Sequence, residues 1–256
     1  IVRIFNGNCG ISDFPKTTLD KMLTGKAVSL NISFENIYTG INGQCNPEDL
    51  ETQLQLMNLA ITAPRFDSEE WDLGIKEYNA ILPNLVSNPE YIFSSHMYKN
   101  IYDSPRKSII SPEVVQKANL STYEKYYRML LSDLTGATAY IVGNVDIETF
   151  KPLVEQYLGS IPGAKKASTW NKKNIVTPLK GENVDVFQAK METPKASVMQ
   201  VYSASVPYSL QKDVNLDAAS FILDMIYVAT LREQEGGTYG ASSQFSISYQ
   251  PTELAM

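Results

Sequence analysis

The sequence predicts an α+β protein in which two successive lobes lay helices on mostly antiparallel sheet. Three observations carry that prediction. Short apolar runs rich in β-branched and aromatic residues, such as AVSLNISF, GATAYIVGNV and SVMQVYSAS, are interspersed with helical segments of ten or more residues. Helix starts are signposted by a capping side chain followed by Pro or acidic residues, as at Asn46-Pro47, Asp67 to Glu70 and Ser111-Pro112. Between Gly163 and Pro178 the chain loses its period and gains four lysines, which marks a linker. The expected division is therefore a first lobe over residues 1–162, a Lys-rich linker over 163–178, and a second lobe over 179–256. A chain of 256 residues is long enough for one to two domains with a sizeable core.

In chain order, Thr17 or Thr18 is expected to cap a short helix through LDKML that Gly25 ends in the left-handed conformation. AVSLNISF and IYTGINGQ read as a hairpin. Asn46 as cap, Pro47 at the first helical position and Glu48 and Asp49 in the first turn open a helix with the stripe Leu50, Leu54, Met57 and Ile61. Asp67-Ser68-Glu69-Glu70 reads as a capping box for a second helix, with Trp71, Ile75, Tyr78 and Leu82 on one face and Pro83 bending or ending it. Further helices are expected from Pro89 to about Tyr102, from Ser111, and from Ser121 with Glu124 as its capping partner. GATAYIVGNV has the unbroken apolar character of a strand covered on both faces. A helix with Phe150, Leu153 and Tyr157 on one face should start near Thr149, so that Pro152 falls in its first turn. In the second lobe VDVFQAK and SVMQVYSAS read as strands, and a helix should run from about Asn215 to Glu233 with Ala218, Phe221, Ile222, Met225 and Ala229 as its apolar face. Gly236-Gly237 ends it, and TYGASSQFSISY returns as a strand. The chain stops at Met256 soon after that strand, so the second lobe is expected to be incomplete, and it opens at Ile1 without an initiator Met, so the sequence bounds localisation only weakly.

Composition narrows the functions. Hydrophobic residues make up 43% and charged residues 20%, ordinary values for a folded domain. A formal charge of -6 provides no net basic field for phosphates, so nucleic acid is excluded as an expected partner. No apolar run approaches the roughly 20 residues of a membrane span, and no transmembrane segment is expected. Cys9 and Cys45 are too few for a disulfide scaffold, and spacing does not say whether they pair.

The metal arithmetic excludes more. A catalytic zinc takes three protein ligands, and both H-E-x-x-H and H-x-x-E-H need two histidines. This chain has one, His96, and no C-x-x-C, so no metal ligand is assigned in it. His96 also lacks a G-x-S-x-G serine nearby and reads as an ordinary helical histidine in YIFSSHMYKNIY.

Two stretches together resemble the pitrilysin/insulinase superfamily of zinc metallopeptidases, which includes the mitochondrial processing peptidases. LSTYEKYYRMLLSDLTGATAYIVGNVDIETFKPLVEQYLGSIP is similar to that family's helix, V-G-x-V-D strand and helix ending in x-I-P. TLREQEGGTYGASS is similar to its arginine, acidic and Gly run, and tyrosine. A weaker likeness lies in NPEDLETQLQLMNLAITAPRFDSEEW. The resemblance implies a lobe of a peptidase built from repeated α/β units, with H-x-x-E-H in one half and a metal-free helper half. Laying Phe5 to Gly7 on the stretch after the family's zinc motif puts its last two positions on Ile1 and Val2, neither able to ligate zinc, and its later glutamate near Glu77, here a surface charge. The chain thus resembles the non-catalytic, C-terminal half.

From that resemblance Arg232 and Tyr239 carry over as substrate-binding residues, holding a peptide carbonyl as it becomes an oxyanion at zinc supplied by the partner half. Arg offers five N–H donors and Tyr one O–H. The plain alternatives are an arginine offsetting the helix dipole and a tyrosine at home in a strand. Gly236 and Gly237 serve the turn, Tyr123, Tyr126 and Tyr127 serve core and rim packing, and Lys165 to Lys173 form a solvated linker. The expected function is a substrate-positioning half of a zinc metalloendopeptidase, inactive alone, working on peptides with an H-x-x-E-H half on the same longer chain or a separate subunit. The rival is a structural or peptide-binding module that kept the fold and lost the chemistry. A periplasmic or cell-envelope location is what bacterial relatives of this kind imply.

Overall fold

The computed structural model describes residues 2–35, 37–163 and 175–256 and is α+β, with two compact units. The first comprises Ile1–Tyr91 and Ile110–Trp170, the second Ile92–Ile109 and Asn171–Met256. Ile1 and most of the expected linker, including Lys165 to Lys173, lie outside the described residues.

The first unit is built on α1 (Val2–Asn8), α2 (Lys16–Met22), a hairpin of β1 (Asn31–Phe34) and β2 (Thr39–Asn42), α3 (Leu50–Thr62) and α4 (Ser68–Val86). The hairpin pairs antiparallel with Ile32 opposite Ile41, as the alternation of apolar residues requires. No side chain caps α2. Pro15 stands at its N-cap in place of Thr17 or Thr18, while Gly25 does adopt a positive φ. Asn46 precedes a single 3-10 turn, Pro47–Asp49, that leads into α3. Of the expected α3 stripe only Leu54 is fully buried. The helix turns Gln53, Leu56 and Ala60 inward as well, because Gln53 Oε1 accepts from the Ser29 N–H (3.2 Å) and draws that flank towards the hairpin's approach.

Asp67 caps α4 by accepting from the Glu69 and Glu70 N–H groups. Glu70 does not return the bond within a capping box. Its carboxylate accepts from the Gly10 N–H (3.0 Å) and the Lys16 N–H (2.5 Å), which pins the loop between α1 and α2. Trp71 and Leu82 are buried on the expected face, and the helix runs on through Pro83 to Val86. After α5 (Pro89–Tyr102) come α6 (Pro112–Gln116), capped by Ser111, and α7 (Leu120–Leu131), whose cap is Asn119 and not Ser121. Tyr123 and Tyr127 on α7 join Phe5, Trp71, Ile32 and Leu131 in the core, with the Phe5 and Tyr123 rings 4.9 Å apart, while Tyr126 faces solvent.

Helix α8 (Ile147–Tyr157) starts two residues before the expected Thr149, because Asp146 caps it through the Thr149 N–H. Pro152 therefore lies in the second turn. Tyr157 fastens α8 to α3: its hydroxyl donates to Glu51 (2.7 Å), and its carbonyl accepts from Asn58 (2.7 Å).

The second unit contains the C-terminal turns of α5, α9 (Leu210–Tyr227) continued by a π-helical stretch Val228–Gln234, and a short antiparallel pair, β3 (Ile247–Ser248) with β4 (Leu254–Ala255). Ser209 caps α9, so the helix begins five residues before the expected Asn215. The expected strands GATAYIVGNV in the first unit, and VDVFQAK and SVMQVYSAS in the second, form no ladder. Tyr140 and Val142 are exposed, which contradicts a strand covered on both faces. Apolar, β-branched composition favours extended backbone, but a ladder also needs a neighbouring strand, and among the described residues only the isolated bridge Ala204–Ala255 supplies one there. TYGASSQFSISY likewise pairs only at its end.

The apolar face of α9 is uncovered, with Phe221, Ile222 and Met225 exposed. By length and composition alone Leu210–Gln234 reaches what a membrane span needs, although the sequence shows no unbroken apolar run of that length. Asp217 and Asp224 interrupt it, and aspartate is among the costliest residues to place in a bilayer.

Candidate functional site

Among the described residues no three His, Cys, Asp or Glu side chains are gathered to hold a metal. Metals bind cysteine as thiolate, yet burial, reinforced by the Glu70 and Asp67 carboxylates, pushes the Cys9 thiol up to about 12. Cys45 is also raised, by burial first and Asp49 second, and both cysteines are free thiols. His96 Nδ1 is engaged by Asp185 (2.8 Å), and its ring stacks on Phe187 with centroids 3.8 Å apart. That histidine ties α5 to the segment that carries Asp185 and Phe187. Glu77 is exposed on α4.

Arg232 and Tyr239 both belong to the second unit, at the end of α9 and just beyond it. The helix widens at Val228, where the Thr230 hydroxyl donates to the Ile226 carbonyl (2.7 Å). The next bonds span more than one α-turn, from the Glu235 N–H to Thr230 (3.0 Å) and from the Gly237 N–H to Leu231 (3.1 Å). π-helical stretches are rare and recur at functional sites. Arg232 lies on this one. Gly236, with φ +62°, ends it in a conformation few side chains tolerate.

The Arg232 Nε approaches Glu233 at 3.5 Å with both side chains more than half exposed, a pairing that constrains the guanidinium little. Tyr239 is fully exposed. Its backbone sits in a tight local turn, in which the Thr238 hydroxyl donates to the Gly240 carbonyl (2.8 Å) and accepts from the Gly240 N–H (3.2 Å). The Arg232 guanidinium and the Tyr239 hydroxyl are thus both exposed to solvent within an eight-residue span.

A second set of residues carried no signal in the sequence. Asp224 on α9 accepts from both the N–H and the hydroxyl of Ser243, the latter at 2.9 Å. Ser220, one turn earlier, donates to the Ser243 carbonyl (2.7 Å), and the Ser243 hydroxyl reaches the Ser220 carbonyl at 3.1 Å. Asp224 and Ser220 have no period or motif to mark them. Their partner becomes visible only when the chain folds back.

In the first unit a cavity of about 150 Å³ opens between α1, α2, α3 and β1, lined by Phe5, Cys9, Ile32, Leu56 and Tyr127 among others. Asn6, Lys16, Asp20 and Ser29 also line it.

The model of the peptidase M16 inactive domain matches residues 119–255. The probable zinc protease PqqL of Escherichia coli is 24% identical over 252 residues, which cover 96% of this chain and 26% of that protein. The crystal structure of the periplasmic protease PqqL from Escherichia coli matches 99% of this chain with a TM-score of 0.72 at 20% identity, covering 28% of that chain. A protease from Helicobacter pylori matches 99% with a TM-score of 0.66 at 13% identity, covering 63% of that chain. The ferredoxin protease FusC, in a structure with Arabidopsis ferredoxin, matches 99% with a TM-score of 0.65 at 16% identity. The chain spans about a quarter of the length of the curated relative. With more than half of its residues matched by that model, the chain belongs to the peptidase M16 family and carries its inactive domain.

Proposed function

We propose that this chain is the substrate-positioning part of a zinc metalloendopeptidase, with Arg232 and Tyr239 as the donors that hold the scissile carbonyl of a peptide. The observation that carries the reading is their placement. Two donor side chains reach solvent on either side of the Gly236-Gly237 reversal, one on a π-helical stretch and one on a locally locked turn. Exposed donors unburdened by strong partners are what a site needs if it is to bind a substrate oxygen and not a neighbour in its own fold. The metal and the general base belong to an H-x-x-E-H half, on the same longer chain or a separate subunit. This chain's own residues contribute hydrogen bonds that strengthen as negative charge develops on the carbonyl oxygen. The periplasmic setting of PqqL extends to this protein in the same reading.

The test uses the complete protein with its H-x-x-E-H half and fluorescein-labelled casein as substrate. Tyr239→Phe and Arg232→Ala should each lower kcat by about a hundredfold, the usual consequence of losing one oxyanion donor, while the circular dichroism spectrum is unchanged. Full turnover in both variants would assign the chain to the rival role of a structural or peptide-binding module.

A further inference from the structure

The fully exposed ring of Tyr239 has no contact of its own to hold it, so its position is set by how its backbone is anchored on each side. On the N-terminal side the anchor is the π-helical end of α9, through the Gly237 N–H to the Leu231 carbonyl (3.1 Å). Thr238 then closes its turn around Tyr239. On the C-terminal side the next contact with α9 is at Ser243. There Asp224 accepts from the Ser243 N–H and hydroxyl, and Ser220 donates to the Ser243 carbonyl. Both ends of the segment that carries Tyr239 are thus fastened to one helix. Asp224 precedes Arg232 by eight residues along α9 and its π-helical continuation. Arg232 and the two tethers lie on one continuous helix.

We propose that Asp224, supported by Ser220, is a positioning residue that acts through Ser243 to set Tyr239 relative to Arg232. The inference rests on the reading of Arg232 and Tyr239 as carbonyl donors and adds to it the device that registers one against the other. The chemistry of the clamp supports this. A carboxylate accepting a backbone N–H and a hydroxyl from one residue fixes the direction of that residue's backbone as well as its distance, and charge-assisted bonds of this kind are the strong ones. Tethers that hold one donor against another matter because small misplacements at a reacting centre cost large factors in rate.

The experiment uses the complete protein, labelled casein as the probe, and hydrogen exchange over residues 238–246. Asp224→Ala should speed exchange in that segment and lower kcat by roughly tenfold or more with KM little changed. Asp224→Asn, which keeps an acceptor oxygen for Ser243, should restore much of both. Ser243→Ala, which removes the hydroxyl without altering α9, should give a smaller loss in the same direction and keeps the question open to measurement if Asp224→Ala does not fold. In the Tyr239→Phe background Asp224→Ala should lower kcat further by much less than it does alone. If Tyr239→Phe lowers turnover while Asp224→Ala and Ser243→Ala leave it unchanged, the positioning role is wrong and the donor reading stands. If Tyr239→Phe itself has no effect, Tyr239 is not a donor and this inference falls with that part of the reading.

Discussion

Tyr127 shows how a single hydroxyl repairs a defect that the chain imposes on itself. The helical partner of the Ala60 carbonyl would be the N–H four residues on, but that residue is Pro64, which has none. The Tyr127 hydroxyl donates to Ala60 at 2.6 Å from a side chain only 1% exposed. Replacing Tyr127 by Phe would leave a buried carbonyl unsatisfied, at a cost of about 1–3 kcal/mol. Urea unfolding followed through Trp71 fluorescence, in a Trp170→Phe background, should record that loss; an unchanged midpoint would mean the carbonyl finds another donor. Tyr123 makes the opposite case. Its hydroxyl is buried without a partner in the described structure, and burial raises its pKa, so it stays a neutral phenol whose ring serves the aromatic cluster.

At the level of elements, carboxylates near helix starts do two jobs. Asp67 accepts from the Glu70 N–H, and that bond, with the Arg65 guanidinium and the Glu69 N–H, outweighs the upward push of burial and sets its carboxyl below the ordinary 3.8. Asp49, ahead of α3, accepts from the Ala27 N–H (2.8 Å) and is lowered chiefly by that bond, with Lys26 adding to it. One closes a helix end and the other fastens the approach to the hairpin. Because both groups hold protons less readily when folded, their stabilisation is complete above the unfolded carboxylate value and is lost as pH falls through the lower folded values. Stability measured by urea should therefore decline below about pH 4, and Asp67→Asn should flatten that decline. An identical acid limb in the variant would show that the cap does not couple to protonation. The uncovered apolar face of α9 belongs to this scale too. The periodicity that builds an amphipathic helix is present, and the layer it would pack against is absent from the described residues.

For the whole molecule, the decisive quantity is the number of imidazoles. The single histidine is paired with Asp185, and among the described residues no three His, Cys, Asp or Glu side chains are gathered to hold a metal. Purified chain should contain substoichiometric zinc by elemental analysis after dialysis and should not hydrolyse labelled casein, with or without added zinc. Stoichiometric metal together with chelator-sensitive cleavage would refute the assignment of the chemistry to another half. Family membership agrees with that division, since the matched model is that of the inactive domain.

What the sequence determined by itself is whatever rests on neighbours along the chain. Caps at Asp67 and Ser111, the existence of the hairpin, the inward face of Trp71 and Leu82, and the absence of a two-histidine motif are all local, because they depend on residues close along the chain. Arg232 and Tyr239 were legible only as a pattern shared with a family. The tertiary structure alone decided which partners meet across the fold: Glu70 with the Gly10 and Lys16 amides, Tyr127 with Ala60, and Asp224 with Ser243. It also decided which extended segments find a ladder, since strand formation is a property of a pair and not of one segment. Hydrogen bonds from side chain to distant backbone leave no period in a sequence, so the clamp behind Tyr239 became visible only in the folded chain.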